Sequence, residues 1–151
     1  MIEEKLEALG ILLPTPPKPA GSYIPVVRTG NLVFVSGQIP MKDGQVQFKG
    51  QVPTSISIDD AQSAARLCII NVLAQLKVEL GTLDKISKIV RVSGFVNCAQ
   101  EFYEHPKIIN AASELLFEIF GEKGKHTRIA IGVKSLPLNS VVEIDLIAET
   151  T

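Results

Sequence analysis

The sequence predicts an α+β fold in which two helices lie on one face of a mixed sheet of about six strands. Three observations support this prediction. The chain has 151 residues, which is enough for one domain, and 46% of them are hydrophobic, which is enough for a packed core. Strand-like and helix-like segments also follow one another in the order β-β-β-α-β-α-β-β. We therefore expect a single domain over residues 1–151, in which residues 1–20 form an N-terminal helix and a proline-rich extension.

The N-terminal extension has two parts. Ile2, Leu6 and Leu9 recur at the spacing of one helix face, and Gly10 marks the end of the predicted helix. The prolines between positions 14 and 19 restrict φ and remove backbone donors, so this stretch predicts an extended connector.

The next part of the chain predicts a meander of three strands. β-branched residues are dense over 24–37, and the segment 29–31 (Thr-Gly-Asn) interrupts them, which indicates two strands joined by a tight turn. Asp43 and Gly44 form a second turn signal, and a short strand is predicted over 46–49.

Two helices and one strand are predicted in the centre. Ser57 offers an N-cap to a helix that runs to Leu80 and ends at Gly81. Residues 86–96 are rich in β-branched side chains and predict a strand. A second helix is predicted over 106–120.

The last two predicted strands cover 128–133 and 141–148, with turn residues over 137–140 between them. Alternation predicts that one face carries the side chains of Ile129, Ile131, Val133, Val142, Ile144 and Leu146. It predicts that the opposite face carries those of Val141, Glu143, Asp145 and Ile147. A face that mixes apolar and charged residues suits association of subunits around a wet pocket, so we expect an oligomer.

Charge and composition argue against several function classes. The 15 basic and 16 acidic residues leave a net charge of -1, and the lysines form no patch interleaved with aromatic residues, which disfavours nucleic-acid binding. The chain has no signal-peptide pattern and no run of about 18 apolar residues, so we expect a cytoplasmic protein without membrane contact. Cys68 and Cys98 lack CxxC spacing, and the two histidines lie far apart, so we predict no metal site.

Several motifs occur together between Gly21 and Ala148. They are Gly21-Ser22-Tyr23, Ser36-Gly37-Gln38-Ile39-Pro40, Asn110, Arg128, Leu136-Pro137 and Val142-Glu143-Ile144. This combination resembles the YjgF/RidA family, and the spacing from Arg128 to Glu143 is its most specific part. The resemblance implies a chorismate-mutase-like fold, assembled as a homotrimer with a central barrel and with pockets between neighbouring subunits.

The resemblance also implies an activity, the hydrolytic deamination of reactive enamines or imines of amino acids to 2-keto acids and ammonia. It implies that Arg128 grips the substrate carboxylate, which a planar guanidinium can hold bidentately. Glu143 would orient the hydrolytic water and accept its proton, the backbone carbonyl of Ala130 would help to hold that water, and Tyr23 would close over the substrate. The remaining pocket positions that it implies are Ser36, Gly37 and Asn110. No cofactor is expected, because an imine carbon is already electrophilic and the site mainly contributes positioning.

Three other interpretations stay open. In the first, the trimer pocket would bind a 2-keto acid or another small carboxylate without turnover. Ribonuclease action or inhibition of translation is attached to some relatives, but the net charge of -1 counts against it. The third is a purely structural or chaperone-like trimer, in which Arg128 would pair with an acid at a subunit contact and Glu143 would be a surface residue.

Overall fold

The computed structural model describes residues 1–19 and 21–151. Three α-helices are present in this part of the chain: α1 (Ile2–Ala8), α2 (Ile58–Leu80) and α3 (His105–Phe120). The strands are β1 (Val26–Thr29), β2 (Leu32–Gln38), β3 (Met41–Lys42), β4 (Gln45–Val46), β5 (Ile86–Asn97), β6 (Thr127–Val133) and β7 (Val142–Thr150). The α+β class and the predicted order of the main elements are confirmed. Within residues 1–19 and 21–151, no helix combines the length and the hydropathy that crossing a membrane requires.

The main sheet is mixed, as expected, and has five strands in the order β1-β2-β7-β5-β6. β5 and β6 run parallel, whereas the other neighbouring pairs are antiparallel. β7, the last strand in sequence, therefore lies at the centre of the sheet, and β6 forms one edge. This order matters for the site because β6 and β7 carry the two charged residues singled out above.

The prediction of a strand over residues 46–49 was wrong. The predicted count of about six strands in one sheet was therefore wrong as well. β4 ends at Val46 and pairs only with β3, in a separate two-stranded ribbon. Phe48 has a φ of 59°, which interrupts extended backbone. Lys49 forms only an isolated bridge with Ser140. The turn signal at positions 43–44 was correct, but the strands on either side of it are too short to join the main sheet.

The two long helices cover one face of the sheet, as predicted. α2 packs on β2 and β7, and α3 packs on β5, β6 and α2. Ser57 caps α2 as predicted, because its Oγ accepts a hydrogen bond of 3.0 Å from the backbone N–H of Asp60. The largest fully buried side chains form the core between helices and sheet: Val33, Ile69, Leu73, Leu76, Leu83, Ile89, Ile108, Ile109, Leu115, Leu116, Ile144 and Leu146.

The predicted N-terminal helix is also present, and it docks on the domain. Leu6 of α1 is buried in the common core. The Asp84 carboxylate accepts the backbone N–H of Ile2 at 2.8 Å, and the Glu3 carboxylate accepts that of Leu83 at 3.0 Å. These reciprocal contacts join α1 to the short 3-10 turn Leu83–Lys85, so α1 packs against the rest of the fold.

The prediction of which side chains of the last two strands share a face of the sheet was wrong. Ser93 of β5 lies opposite both Ile129 of β6 and Asp145 of β7, so these three side chains share one face. The next row on that face is Ile131, Phe95 and Glu143. Ile129 and Ile131 therefore lie with the charged residues, and the buried Ile144 and Leu146 lie on the other face. The prediction failed because β5 lies between β6 and β7 and sets their relative register.

The face without helices, here called the open face, carries large apolar side chains. Val27 on β1, Phe34 on β2, and Ile129 and Ile131 on β6 are between 38% and 46% exposed. They span the sheet from one edge to the other, because Val27 and Phe34 are direct cross-strand neighbours and β6 is the far edge. A single copy of the chain thus leaves uncovered a sheet face on which large apolar side chains accompany the charged ones of Asp145 and Glu143.

Candidate functional site

Arg128 lies near the start of the edge strand β6 and projects onto the face that the helices cover. Its row partners, Val92 and Leu146, are buried in the core on that face. The Nη1 group donates a hydrogen bond of 2.8 Å to Asn110 Oδ1 and one of 3.2 Å to Ser113 Oγ. Asn110 and Ser113 are three residues apart on α3, so one side of this helix presents both oxygens to the guanidinium.

Neutral oxygens hold this arginine. Across residues 1–19 and 21–151, no acidic side chain forms an ion pair with Arg128, and all its hydrogen bonds there come from Nη1. The Nε–Nη2 edge is one side of a guanidinium that can bind a carboxylate with two parallel bonds. The arrangement therefore anchors the guanidinium of Arg128 at Nη1 and leaves its Nε–Nη2 edge, here called the fork, to bind an anion.

His126 adds to this cluster and was not selected from the sequence. Its Nε2 lies 2.9 Å from Ser113 Oγ, and its Nδ1 lies 2.6 Å from the carbonyl oxygen of Gly124. Burial lowers the pKa of His126, the carbonyl of Gly124 opposes this, and the charge of Arg128 lowers it further. The imidazole is therefore biased toward its neutral form. The signal in the sequence was the spacing of His126 and Arg128, which places both on one face of an extended segment.

Glu143 lies on the open face, on the central strand β7. It faces the irregular end of β2, where the pairing with β7 shifts register between Val35 and Gln38. A Cβ on Gly37 would lie only 2.7 Å from Glu143 Oε2, so the absence of a side chain there makes room for the carboxylate. Burial raises the pKa of Glu143, and the neighbouring carboxylate of Asp145 raises it further.

Ser36 directly precedes Gly37 near the end of β2, and a hydrogen bond joins it to the segment that contains Tyr23. The Oγ of Ser36 donates a hydrogen bond of 3.0 Å to the carbonyl of Ile24, which ties the segment before β1 to the end of β2. Tyr23 lies in that segment and is 55% exposed, and a Cβ on Gly21 would touch its ring at 3.5 Å. The phenol is thus available to a ligand or to another protein surface.

The residues of the candidate site form two groups. The predicted Asn110 and Arg128, together with Ser113 and His126, which were not predicted, are here called the arginine cluster. Ser36, Gly37 and Glu143, with Tyr23 in the segment that Ser36 bonds to, are called the glutamate cluster. Ala130, two residues after Arg128, is partly buried against the core on the arginine side. Arg128 and Glu143 project from opposite faces of the sheet, so one copy of the chain does not bring these two side chains together.

A cleft of about 750 Å³ adjoins the arginine cluster. Its lining includes Ser113, His126 and Arg128, together with the half-exposed ring of Phe117. Lys125 Nζ lies 5.7 Å from the centre of that ring. The lining also includes Glu114 and Glu118, so the cleft combines charges of both signs with an aromatic wall. In the described part of the chain, no three His, Cys, Asp or Glu side chains are grouped so that they could hold a metal ion.

Cys98 and His105 lie close together at the other end of β6. Their Sγ and Nε2 atoms are 3.4 Å apart beside Gly132. Burial raises the pKa of the Cys98 thiol, which disfavours a reactive thiolate. This pair therefore lacks the electrostatic environment of a catalytic cysteine.

Comparison with known proteins agrees with this fold. A family model described as "YjgF/chorismate_mutase-like, putative endoribonuclease" matches residues 3–150. Protein TCP17 of Trypanosoma cruzi is 38% identical over 98% of this chain and 93% of its own length. A 2-iminobutanoate/2-iminopropanoate deaminase of Dermatophagoides farinae is 32% identical over 91% of this chain and 92% of its own.

Solved structures agree as well. The crystal structure of the protein Atu1372 from Agrobacterium tumefaciens, whose function is unknown, superposes with a TM-score of 0.93 at 43% identity. The match covers 99% of this chain and 92% of that one. The similarity extends over the whole fold, including the N-terminal extension. The chain therefore belongs to the YjgF/chorismate mutase-like family.

Proposed function

We propose that this protein hydrolyses reactive imines of amino acids to 2-keto acids and ammonia. The observation that carries the proposal is the arginine cluster, in which Arg128 is held by Asn110 and Ser113 and has no acidic partner in residues 1–19 and 21–151. An α-imino acid presents one carboxylate next to one electrophilic carbon. A fork that holds the carboxylate therefore also locates the carbon to be attacked. The deaminase from Dermatophagoides farinae, which is 32% identical, supports this choice of substrate class.

The proposed site is completed between copies of the chain. Arg128 and Glu143 project from opposite faces of one sheet, and the open face leaves Phe34 and Ile131 uncovered. A cyclic homotrimer would bury these apolar side chains in a central barrel. It would also bring the edge strand β6 of one copy beside the glutamate cluster of the next. In this arrangement each pocket uses Arg128 of one copy and Glu143 of its neighbour.

Hydrolysis then needs only a water molecule and these side chains. Arg128 binds the carboxylate, and the water lies between the Glu143 carboxylate and the carbonyl oxygen of Ala130. Glu143 accepts a proton from the water while the water oxygen bonds to the imine carbon. The C=N bond thereby becomes a C–N single bond. Glu143 returns that proton to the nitrogen, which gives a carbinolamine. The hydroxyl proton of the carbinolamine then moves to the nitrogen as the C–N bond breaks and the C=O bond forms, which releases ammonia and leaves the 2-keto acid. The raised pKa of Glu143 strengthens it as the base.

The test is ammonia release from imines that an amino-acid oxidase generates in the same vessel. The wild type is expected to accelerate release, and Arg128→Ala and Glu143→Gln are each expected to lose about a hundredfold or more. Arg66→Ala is the matched control, because Arg66 lies on α2 and shares no hydrogen bond with either cluster in the described residues. A wild type that leaves the rate of ammonia release unchanged would contradict the proposal.

A second candidate function is binding of a small carboxylate without turnover. The arginine cluster favours it independently of Glu143, because the Nε–Nη2 fork of Arg128 is complete within one chain. Binding of a 2-keto acid that Arg128→Ala abolishes, together with no acceleration of ammonia release, would favour this candidate over hydrolysis.

A further inference from the structure

Four groups on the arginine side form one continuous chain of hydrogen bonds. It runs from Arg128 Nη1 to Ser113 Oγ (3.2 Å), from Ser113 Oγ to His126 Nε2 (2.9 Å), and from His126 Nδ1 to the carbonyl oxygen of Gly124 (2.6 Å). This chain of hydrogen bonds connects α3, the start of β6 and the loop between them. It lies along the wall of the cleft that adjoins Arg128.

The chemistry of the two end groups determines the direction of every bond. The carbonyl of Gly124 can only accept, so His126 Nδ1 carries a hydrogen. In the neutral imidazole Nε2 is then an acceptor, and Ser113 must donate its single hydroxyl hydrogen to it. This leaves the lone pairs of Ser113 Oγ for Arg128, whose guanidinium has only donors. No other assignment satisfies all three contacts while His126 is neutral.

The surroundings of His126 favour that neutral form. The imidazole is partly buried beside the positive charge of Arg128, and both features lower its pKa. The other charged groups that line the same cleft are Glu114, Glu118 and Lys125, and none forms a hydrogen bond or ion pair with His126 in the described residues. The tautomer is therefore governed mainly by the Gly124 carbonyl.

This chain of hydrogen bonds helps to hold Arg128 in place. Nη1 is anchored at two points, Asn110 and Ser113, and together they restrict rotation of a long and flexible side chain. With the Ser113 anchor removed, only the exposed Asn110 remains, and the Nε–Nη2 edge is free to turn away from its binding orientation. A hydroxyl that His126 polarises is also a better acceptor toward a cation than an isolated one.

We infer that Ser113 and His126 are positioning residues, which lock the guanidinium of Arg128 in the orientation that receives the carboxylate of an α-imino or α-keto acid. This inference deepens the proposed function and rests on it. Neither residue touches the reacting atoms. Their role is to orient the carboxylate fork before the substrate arrives.

The test uses 2-oxobutanoate as the probe, titrated by calorimetry into the intact protein. Ser113→Ala is expected to weaken binding about tenfold, since it removes a hydrogen bond to a charged group. His126→Ala is also expected to lower the affinity for 2-oxobutanoate. Ser113→Thr keeps the hydroxyl and is expected to bind within about twofold of the wild type. Thermal unfolding of each variant separates loss of binding from loss of fold.

A second readout is independent of activity. The ¹⁵N spectrum of His126 is expected to show the Nδ1–H tautomer at neutral pH, with an Nε2 signal that shifts in Ser113→Ala but not in Ser113→Thr. Unchanged affinity in a folded Ser113→Ala variant would overturn the positioning role and leave the proposed function intact. A wild type that does not bind 2-oxobutanoate would overturn the carboxylate site itself, and an Nε2–H tautomer would overturn the hydrogen-bond direction.

Discussion

At the scale of single residues, the two charged positions differ in what one chain provides for them. Arg128 meets its partners Asn110 and Ser113 within the chain. Glu143 lies against the backbone at Gly37 and beside the like charge of Asp145, and no cation forms an ion pair with it in residues 1–19 and 21–151. A carboxylate that is half-buried without a cation beside it is poised to hold a proton at a higher pH than usual. This environment suits a base that removes a proton from water.

The pH dependence of the reaction should report this environment. Glu143 must be ionised to act as a base, so kcat/KM falls as pH decreases through its raised pKa. Asp145→Asn removes the second cause of that elevation, which lowers the pKa of Glu143 and moves the acidic limb of the profile to lower pH. The profile is measured by ammonia release across the acidic range. Asp59→Asn on α2 serves as the control, and an acidic limb that stays in place in Asp145→Asn would exclude Glu143 as the titrating base.

The resemblance in the sequence predicted Arg128 and Asn110, and the structure places these two side chains in contact. It did not predict Ser113 or His126. Their role depends on α3 running antiparallel to β6, so that a residue one turn after Asn110 meets one just before Arg128. The sequence pattern assigns each element separately and does not determine this relative orientation. The resemblance thus indicated Arg128 and Asn110, and the packing of α3 beside β6 added Ser113 and His126.

At the scale of elements, the contact between α3 and β5 determines where Asn110 sits. Gly94 lies in the middle of β5, and a Cβ there would lie 2.6 Å from both Cγ1 and Cδ1 of Ile109. The helix approaches the strand this closely only because Gly94 has no side chain. Ile109 precedes Asn110 directly, so the same contact sets the position of an anchor of Arg128.

Gly94→Ala should therefore impair both stability and binding. The added methyl group overpacks a fully buried site, and we expect a loss of about 1–3 kcal/mol in the free energy of unfolding. Binding of 2-oxobutanoate should weaken as α3 moves outward. Unfolding by denaturant measures the first effect. In an Ile109→Ala background, the same substitution should cost much less, and an undiminished cost there would mean that the Gly94–Ile109 contact is not the cause.

The elements themselves were largely predictable, whereas their register was not. The cap at Ser57, the end of α2 at Gly81 and the long strand β5 follow from local chemistry. The strand predicted over 46–49 and the facing of Ile129 and Ile131 were wrong, because both depend on which strands become neighbours. The insertion of β5 between β6 and β7 is a property of the whole sheet, and no short segment encodes it.

At the scale of the whole molecule, the open face accounts for the proposed assembly. Its apolar side chains include Phe34 and Ile131, and no helix covers them within residues 1–19 and 21–151. A lysine at Ile131 would place a charge in the proposed barrel interface. We expect Ile131→Lys to dissociate an assembly of about three times the chain mass of 16.3 kDa. Light scattering after size-exclusion chromatography measures this mass.

Val78→Lys provides a matched control for that experiment. Val78 lies on α2, away from the sheet, and is 70% exposed. It therefore carries the same chemical change on a surface that the proposed assembly does not use. A wild type that elutes as a monomer, or an Ile131→Lys variant with the mass of the wild type, would refute this interface.

The most direct test of the central claim is to mix two inactive variants. Arg128→Ala and Glu143→Gln are unfolded together, refolded as a mixture and assayed for ammonia release from imines. If each site takes Arg128 from one copy and Glu143 from the next, random assembly at equal amounts restores roughly a quarter of the wild-type sites. Each variant refolded alone should stay inactive. Activity in the mixture is the predicted result, and a mixed assembly as inactive as its components would contradict a site shared between copies.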